Sequence, residues 1–457
     1  MIFSSFTFLL LFLPAVVLLY WRAPRPVRMP LLLTASLLFY GWGNPAWLLL
    51  LLYCMLVSWG GARWMTRTRR KRAALALLIV LNLLPLVWFK YAGFLRDTWR
   101  QLTGISIPFT APPLPAGISF FTFQAVSFLA DVYRGDARGV PKLTVFGVYL
   151  SLFPQLVAGP IVRYTELEEQ LLTSGAAEPA EMRAGLRRFI LGLGKKVLLA
   201  DAMGRLWGQI NADFASAGAV GAWAGLLAFS FQIYFDFSGY SDMAVGIGHM
   251  LGFTLPENFR RPYRARSLTD FWRRWHMSLT GWFKAYVYIP LGGSRRGRIR
   301  RDLNILIVWA LTGLWHGAGW HFVLWGLYFA ALLVAEKRLL PPGGRAERLI
   351  PGPVRQAGTF LLVMLGWGLF SGFGAELPGA MTGAYGWGSV ETLALCAAFL
   401  PLLLVCGGIC FLPRMTLPER LRPWKGRLRL PVMAALMLLC LAALAAQGYE
   451  PFVYFQF

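Results

Sequence analysis

The chain has 457 residues, 57% of them hydrophobic and only 14% charged, against about 25% charged in a soluble domain, which excludes an ordinary water-soluble globule. Its net charge of +24 lies in clusters between apolar runs. That placement fits loops facing the cytoplasm and anionic lipid head groups, and argues against nucleic acid as the partner.

Residues 8–20 are apolar apart from Pro14. No Lys or Arg precedes Arg22 and no small-residue cleavage pattern follows, so this run reads as an uncleaved first span and not as a secretory signal. Further long apolar runs cover residues 46–57, 73–89, 303–334 and 392–412. A crossing takes about 20 mostly apolar residues. With the weaker runs included, the pattern predicts an all-α, polytopic membrane protein with about 11–13 transmembrane or re-entrant helices. Bases cluster at Arg22, Arg25 and Arg28, at Arg67, Arg69, Arg70, Lys71 and Arg72, and at Arg134, Arg138 and Lys142. One threading puts all three loops in the cytoplasm and the N-terminus in the periplasm, with Arg96 and Arg100 as a minor exception outside. The five cysteines, Cys54, Cys396, Cys406, Cys410 and Cys440, all lie in apolar runs without a C-x-x-C pair and read as packing thiols.

The middle of the chain is less regular. Residues 149–162 are interrupted by Pro154, Gly159 and Pro160, and residues 166–188 are polar enough for a short amphipathic helix with a loop. Residues 189–199 carry Lys195 and Lys196 at their centre, which predicts an interfacial or re-entrant piece, because a lysine pair facing lipid is costly. Asp236 and Asp242 sit with Ser238 and Ser241 in a polar knot, read as a hydrogen-bond cluster holding a broken helix, with a coupled-ion site as the alternative. Residues 256–302 interleave a dozen bases with Trp272, Trp275, Trp282, Phe283, Tyr286 and Tyr288, as an interface-hugging helix and loop would. Broken segments at membrane depth need protein or a water-filled cavity around them, so the middle third is the expected functional core of one domain, 1–457.

Only four histidines exist, and histidine is the commonest general base near neutral pH. His316 lies inside an apolar run, with Gly313, Gly317, Ala318 and Gly319 beside it. An ionisable group there is either functional or a core histidine bonded to a neighbouring helix, and the small residues either admit a thin substrate or let another helix approach. His276 follows Trp272, Arg273, Arg274 and Trp275; it reads either as an aromatic anchor with snorkelling arginines or as a histidine at the mouth of a channel, with Arg273 and Arg274 drawing in an anionic donor. His321 stands five residues after His316, about 140° round a helix, so the two share no face and form no metal pair. His249 has no evident partner. No metal site, G-x-S-x-G elbow, P-loop or dinucleotide fingerprint is present. Asp131 and Asp270 are further carboxylates in apolar surroundings.

Five segments together resemble the membrane-bound O-acyltransferases, and within them the bacterial alginate O-acetyltransferase branch: Leu114-Pro-Ala-Gly-Ile-Ser-Phe-Phe-Thr-Phe-Gln124, Phe153-Pro-Gln-Leu-Val-Ala-Gly-Pro160, Asp270-Phe-Trp-Arg-Arg-Trp-His276, Tyr288-Ile-Pro-Leu-Gly-Gly293 and Leu314-Trp-His-Gly-Ala318. The closing Pro451-Phe-Val-Tyr-Phe-Gln-Phe457 adds to the likeness, which is densest over residues 114–335, the expected catalytic core. The resemblance implies a helical fold pinched around a central tunnel. It implies His316 as the catalytic histidine and His276 as the second active-site position. It also implies acetyl-CoA as the cytoplasmic donor and a periplasmic acetyltransferase of the SGNH type as partner, in the inner membrane, for acetylating an exported polysaccharide. His321 is a departure, since a smaller polar residue is expected there. Two other readings remain: a D-alanine exporter of the same family, and an ion-coupled polysaccharide transporter using Asp236 and Asp242.

Overall fold

The computed structural model describes every residue except 174, 341–343, 345–348, 373, 375, 414–421, 448–451 and 453–457. The closing motif therefore lies outside the described residues apart from Phe452, which is buried against Tyr240. Among the described residues every regular element is a helix, as expected for a backbone that must satisfy its own hydrogen bonds away from water.

The first half comprises α1 (Leu13–Arg22), α2 (Arg25–Gly41), α3 (Ala46–Arg67), α4 (Lys71–Leu86), α5 (Ala92–Thr103), α6 (Ile118–Arg134), α7 (Leu143–Ser151), α8 (Phe153–Leu156), α9 (Tyr164–Thr173), α10 (Pro179–Gly194), α11 (Asp201–Ala212) and α12 (Phe214–Met250). The second half comprises α13 (Leu268–Trp272), α14 (Met277–Phe283), α15 (Arg298–His316), α16 (Trp320–Leu339), α17 (Gly352–Ser371), α18 (Glu376–Met381), α19 (Val390–Phe411) and α20 (Arg422–Gln447). Single π-helical turns interrupt the chain at Thr7–Phe12, Val87–Tyr91, Lys195–Ala200 and Lys284–Tyr288.

Among the described residues five stretches are long and apolar enough to cross a membrane: Ala46–Arg67, Lys71–Thr103, Phe214–Met250, Val390–Phe411 and Gly426–Ala446. The remaining helices are shorter, broken or too polar to qualify alone. Within the interrupted 149–162 run, α7 ends at Ser151 and α8 covers only Phe153–Leu156, and both are buried inside protein. The stretch containing α12 differs from the other four: its apolar window is 67% buried, against 11–33% for the rest. It is the axle of the bundle, capped by Asp213, whose carboxylate accepts from the Ala215 and Ser216 amides at 3.0 and 3.1 Å.

α12 packs on α10 through glycines. A Cβ on Gly185 would stand 2.5 Å from the Gly246 carbonyl oxygen, and one on Gly192 2.6 Å from that of Gly239; Gly246 and Gly239 meet the opposite backbones at 2.6 and 2.8 Å. The four glycines let two helices touch backbone to backbone, a small-residue interface that close packing in membranes favours.

The same contact corrects two expectations. Residues 189–199 do not double back as a re-entrant piece would: α10 runs through the Lys195–Ala200 turn directly into α11, and this continuity leaves the interfacial alternative open. Nor is α12 broken at the polar knot; its one non-helical residue is Gly218 (φ 57°, ψ −164°). Both segments stay helical because each buried charge finds its opposite. Lys196 Nζ pairs with Asp201 at 2.6 Å and with Asp236 at 2.9 Å. Asp242 receives Lys195 at 2.5 Å and Arg188 at 2.9 Å. The 256–302 stretch also differs from expectation. Phe271, Trp272, Trp275, Trp282 and Phe283 are buried, and Trp272 and Trp275 pack against Trp309, Trp325 and Trp367, so these rings form core, while Tyr286 and Tyr288 are half-buried. The cysteines are all free, with Cys396 half-buried and the other four buried.

Gly192→Ala is expected to lower stability by about 1–3 kcal/mol, because backbone and not a flexible side chain stands in the way. Gly60→Ala, on α3 with nothing within 4 Å of its added Cβ, is expected to leave it unchanged or slightly raised. Thermal unfolding of both variants in detergent measures the difference.

Candidate active site

α15 begins among arginines and ends at His316, where Gly317 turns extended (φ −170°, ψ 161°). The glycines around the histidine serve packing. A Cβ on Gly313 or Gly317 would collide with the Phe322 backbone or ring, and one on Gly326 of α16 with the Trp309 carbonyl. α15 and α16 thus approach through small residues, and the space beside His316 lies elsewhere. Its ring is edge-on to Trp325 at 4.9 Å and to Phe370 at 5.4 Å, and the residue is 6% exposed.

That residual exposure opens in two directions. A cavity of about 220 Å3 is lined by Arg273, His276, Lys284, Thr312, Lys337 and His316. A second, of about 250 Å3, is lined by Trp47, Lys90, Ala116, Ser119, Trp315 and His316. Among the described residues His316 is the one that borders both. The first cavity reaches the surface through exposed Arg273, Thr280 and Lys284, the second through half-buried Trp47, Leu114 and Ala116.

His276 sits between α13 and α14 in a left-handed conformation (φ 42°, ψ 54°). A non-glycine residue holds this strained backbone only when its surroundings fix it, and such residues gather at functional sites. Asn258 does the fixing. Its carbonyl accepts from the Met277 amide at 3.0 Å. Its Oδ1 lies 3.3 Å from the Ser278 amide, 3.0 Å from Ser278 Oγ and 3.1 Å from His276 Nδ1. A backbone N–H can only donate, so the amide atom facing it is the oxygen, and His276 Nδ1 must carry a proton to meet it. The neutral ring then has its lone pair on Nε2. The indole of Trp315 links the two histidines, with its ring 5.8 Å from His276 and 4.9 Å from His316.

The sequence motifs converge here. Gly117 lies so close to the Leu156 carbonyl that a Cβ would stand 2.5 Å from it. Ser278 Oγ receives the Ile161 amide at 3.0 Å, Trp282 donates to the Phe123 carbonyl at 3.1 Å, and Phe120 and Phe123 hold Trp315 at 5.4 and 5.7 Å. Of the two predicted donor-entrance arginines, Arg273 lines the first cavity, while Arg274 pairs with Asp270 at 2.9 Å and lines neither. His321, packed on Phe322 at 4.0 Å, and His249 also line neither. Sequence reading missed Lys90, Asn258, Lys284 and Lys337. Lys90, a lone charge in an otherwise apolar run, was the one visible signal among them.

The membrane-bound O-acyltransferase family profile matches residues 30–341, which contain both cavities and both histidines. The chain belongs to the membrane-bound O-acyltransferase family. It is similar to the probable alginate O-acetylase AlgI of Pseudomonas aeruginosa, with 41% identity over 81% of this chain and 72% of the relative. With that of Pseudomonas putida it shares 36% identity over the full length of both. It is also similar to the peptidoglycan O-acetyltransferase of Helicobacter pylori, with 32% identity over 81% of this chain and 77% of the relative. This membrane-bound O-acyltransferase is thus a membrane enzyme that transfers acyl groups to oxygen, and its two-sided cavity pair lies within the matched region.

Asn258→Leu removes the acceptor that the buried His276 Nδ1–H and the half-buried Ser278 donors share, which is expected to lower stability by about 1–3 kcal/mol. Asn258→Asp keeps the acceptor and is expected to lose less. Melting temperatures of the two variants, compared side by side, measure this.

Proposed function

We propose that this acyltransferase moves an acetyl group from a cytoplasmic acetyl-CoA donor to a hydroxyl presented from the periplasmic side, for O-acetylation of an exported polysaccharide such as alginate. The observation that carries this reading is the position of His316 as the shared wall of two cavities opening in different directions. Support for the polysaccharide acceptor comes from the names of the relatives, alginate O-acetylases and a peptidoglycan O-acetyltransferase. Support for the direction comes from charge. The first cavity opens among Arg273, Lys284 and Lys337, and bases collect on the cytoplasmic side of bacterial membranes. The second opens beside the segment that follows α5; the positive-inside threading that has the N-terminus periplasmic has this segment outside, and the inner membrane is the proposed location. A periplasmic acetyltransferase of the SGNH type is the proposed partner that takes the acetyl group onward.

In this mechanism the donor thioester enters the basic cavity, its phosphates drawn to Arg273, Lys284 and Lys337, while the acceptor hydroxyl enters the other. His316 takes the hydroxyl proton as the oxygen attacks the thioester carbonyl. The tetrahedral intermediate collapses, the C–S bond breaks, and the proton passes from His316 to the departing thiolate. His276 holds its proton toward Asn258, so while neutral it offers Nε2 as an acceptor and supplies no donor to the oxyanion. Trp272 Nε1–H is the available donor: it lines the same cavity, is buried, and has no hydrogen-bond partner among the described residues. No covalent acyl-enzyme is required.

His316→Ala is expected to insert and melt like the parent while polymer acetylation falls about 10²- to 10⁴-fold, the usual contribution of a general base. Mass measurement of polymer from cells carrying the variant, with membrane protein levels matched, decides it. Acetylation at the parental rate overturns the reading.

A further inference from the structure

Lys90 is the most unusual charge in the molecule. It is 8% exposed, and among the described residues no carboxylate pairs with it. Two other lysines within the bundle are paired: Lys196 meets Asp201 and Asp236, and half-buried Lys195 meets Asp242. Taking an ammonium out of water costs several kcal/mol unless a partner offsets it, and a methionine of similar length would fill the same place at no electrostatic cost.

What Lys90 meets is the end of a helix. The last carbonyls of α15 have no partner within their own helix, and together they carry about half a negative charge. The commonest remedy is a glycine turning left-handed just past the end. Here Gly317 is extended instead, so the remedy comes from across the bundle. Tyr91 Oη donates to the Leu314 carbonyl at 2.6 Å. Lys90 Nζ donates to the Trp315 carbonyl at 2.5 Å and lies 3.4 Å from the His316 carbonyl and from Ser119 Oγ. Both residues belong to the π-helical turn Val87–Tyr91, a distortion that recurs at functional sites because it re-aims neighbouring side chains. The turn thus caps the three successive carbonyls Leu314, Trp315 and His316 and holds the last turn of α15 from the side of the second cavity, which Lys90 also lines.

We infer that Lys90 is a positioning residue for His316: with Tyr91 it caps α15 in trans, and this cap sets where the His316 imidazole stands between the two cavities. The inference rests on the proposed role of His316. Lys90 meets the backbone carbonyls of Trp315 and His316, not the imidazole nitrogens. Its loss therefore acts on turnover through the placement of the imidazole. Binding of the acyl donor, in the other cavity, is unaffected.

The test uses the full-length enzyme in membranes, with Lys90→Met, Lys90→Arg and His316→Ala measured in parallel for acetyl transfer from acetyl-CoA, and hydrogen exchange followed in peptides covering residues 311–318. Lys90→Met is expected to fold and to melt close to the parental temperature, since the lost carbonyl cap and the relieved burial of an ammonium oppose each other, with kcat lowered roughly tenfold to a hundredfold, the range a displacement of about 1 Å in a catalytic group produces. KM for acetyl-CoA is expected to stay within about twofold, on the premise that binding and chemistry separate. Exchange at the end of α15 is expected to rise, and Lys90→Arg, which keeps the cationic cap, to recover most of kcat. If His316→Ala is inactive while Lys90→Met keeps parental kcat, the inference fails and the proposed function stands. A loss in Lys90→Met that Lys90→Arg does not recover, or that appears in KM for acetyl-CoA, also overturns it. Activity in His316→Ala removes the proposed function itself.

Discussion

The proposed active centre depends on one constraint: the His316 imidazole is kept at the end of a buried helix, between two cavities. A helix end is the place where backbone carbonyls need outside partners, and in this enzyme those partners come from a distant segment, through Tyr91 and Lys90. On the opposite flank Trp325 and Phe370 wall the ring. The histidine is buried among aromatic rings and borders a cavity on each of two sides. It occupies a gap in the protein with an opening on either side.

The rest of the fold maintains that gap. α12 forms a buried axle, fixed to α10 by four glycines and the Arg188–Asp242 pair and to the π-helical turn after α10 by Lys195 and Lys196. Its neutralised carboxylates are better explained as structural glue than as an ion-coupling site, since each already holds a lysine or arginine. The aromatic block of α13 and α14 then packs on α15 and α16 through Trp272, Trp309 and Trp325. This places His276, in its strained backbone, opposite Trp315. Bulky rings so close together leave few rotamers, which suits a site whose geometry must be set before substrate arrives.

Much of this was legible in the chain. The long apolar runs and the two histidines were visible because lipid tolerates few charges, so each exception stands out. Lys90 was such an exception and passed unread, because its partners are main-chain carbonyls more than two hundred residues away and carbonyls leave no mark in a sequence. Asn258 was hidden for a related reason: its role is to orient a neighbour's tautomer. The 256–302 stretch misled because tryptophans beside arginines describe an interface belt and a buried aromatic core equally well; only packing separates them. Residues 189–199 misled because the cost of buried lysines was counted without the aspartates on α11 and α12 that offset it.

The central claim is that one residue faces both compartments. The enzyme with its cysteines replaced and His316→Cys introduced can be probed in sealed membrane vesicles of each orientation with a small, membrane-impermeant thiol reagent. The account predicts modification from either face, slowed on the basic face by acetyl-CoA. Modification from one face alone, or from neither, would contradict it.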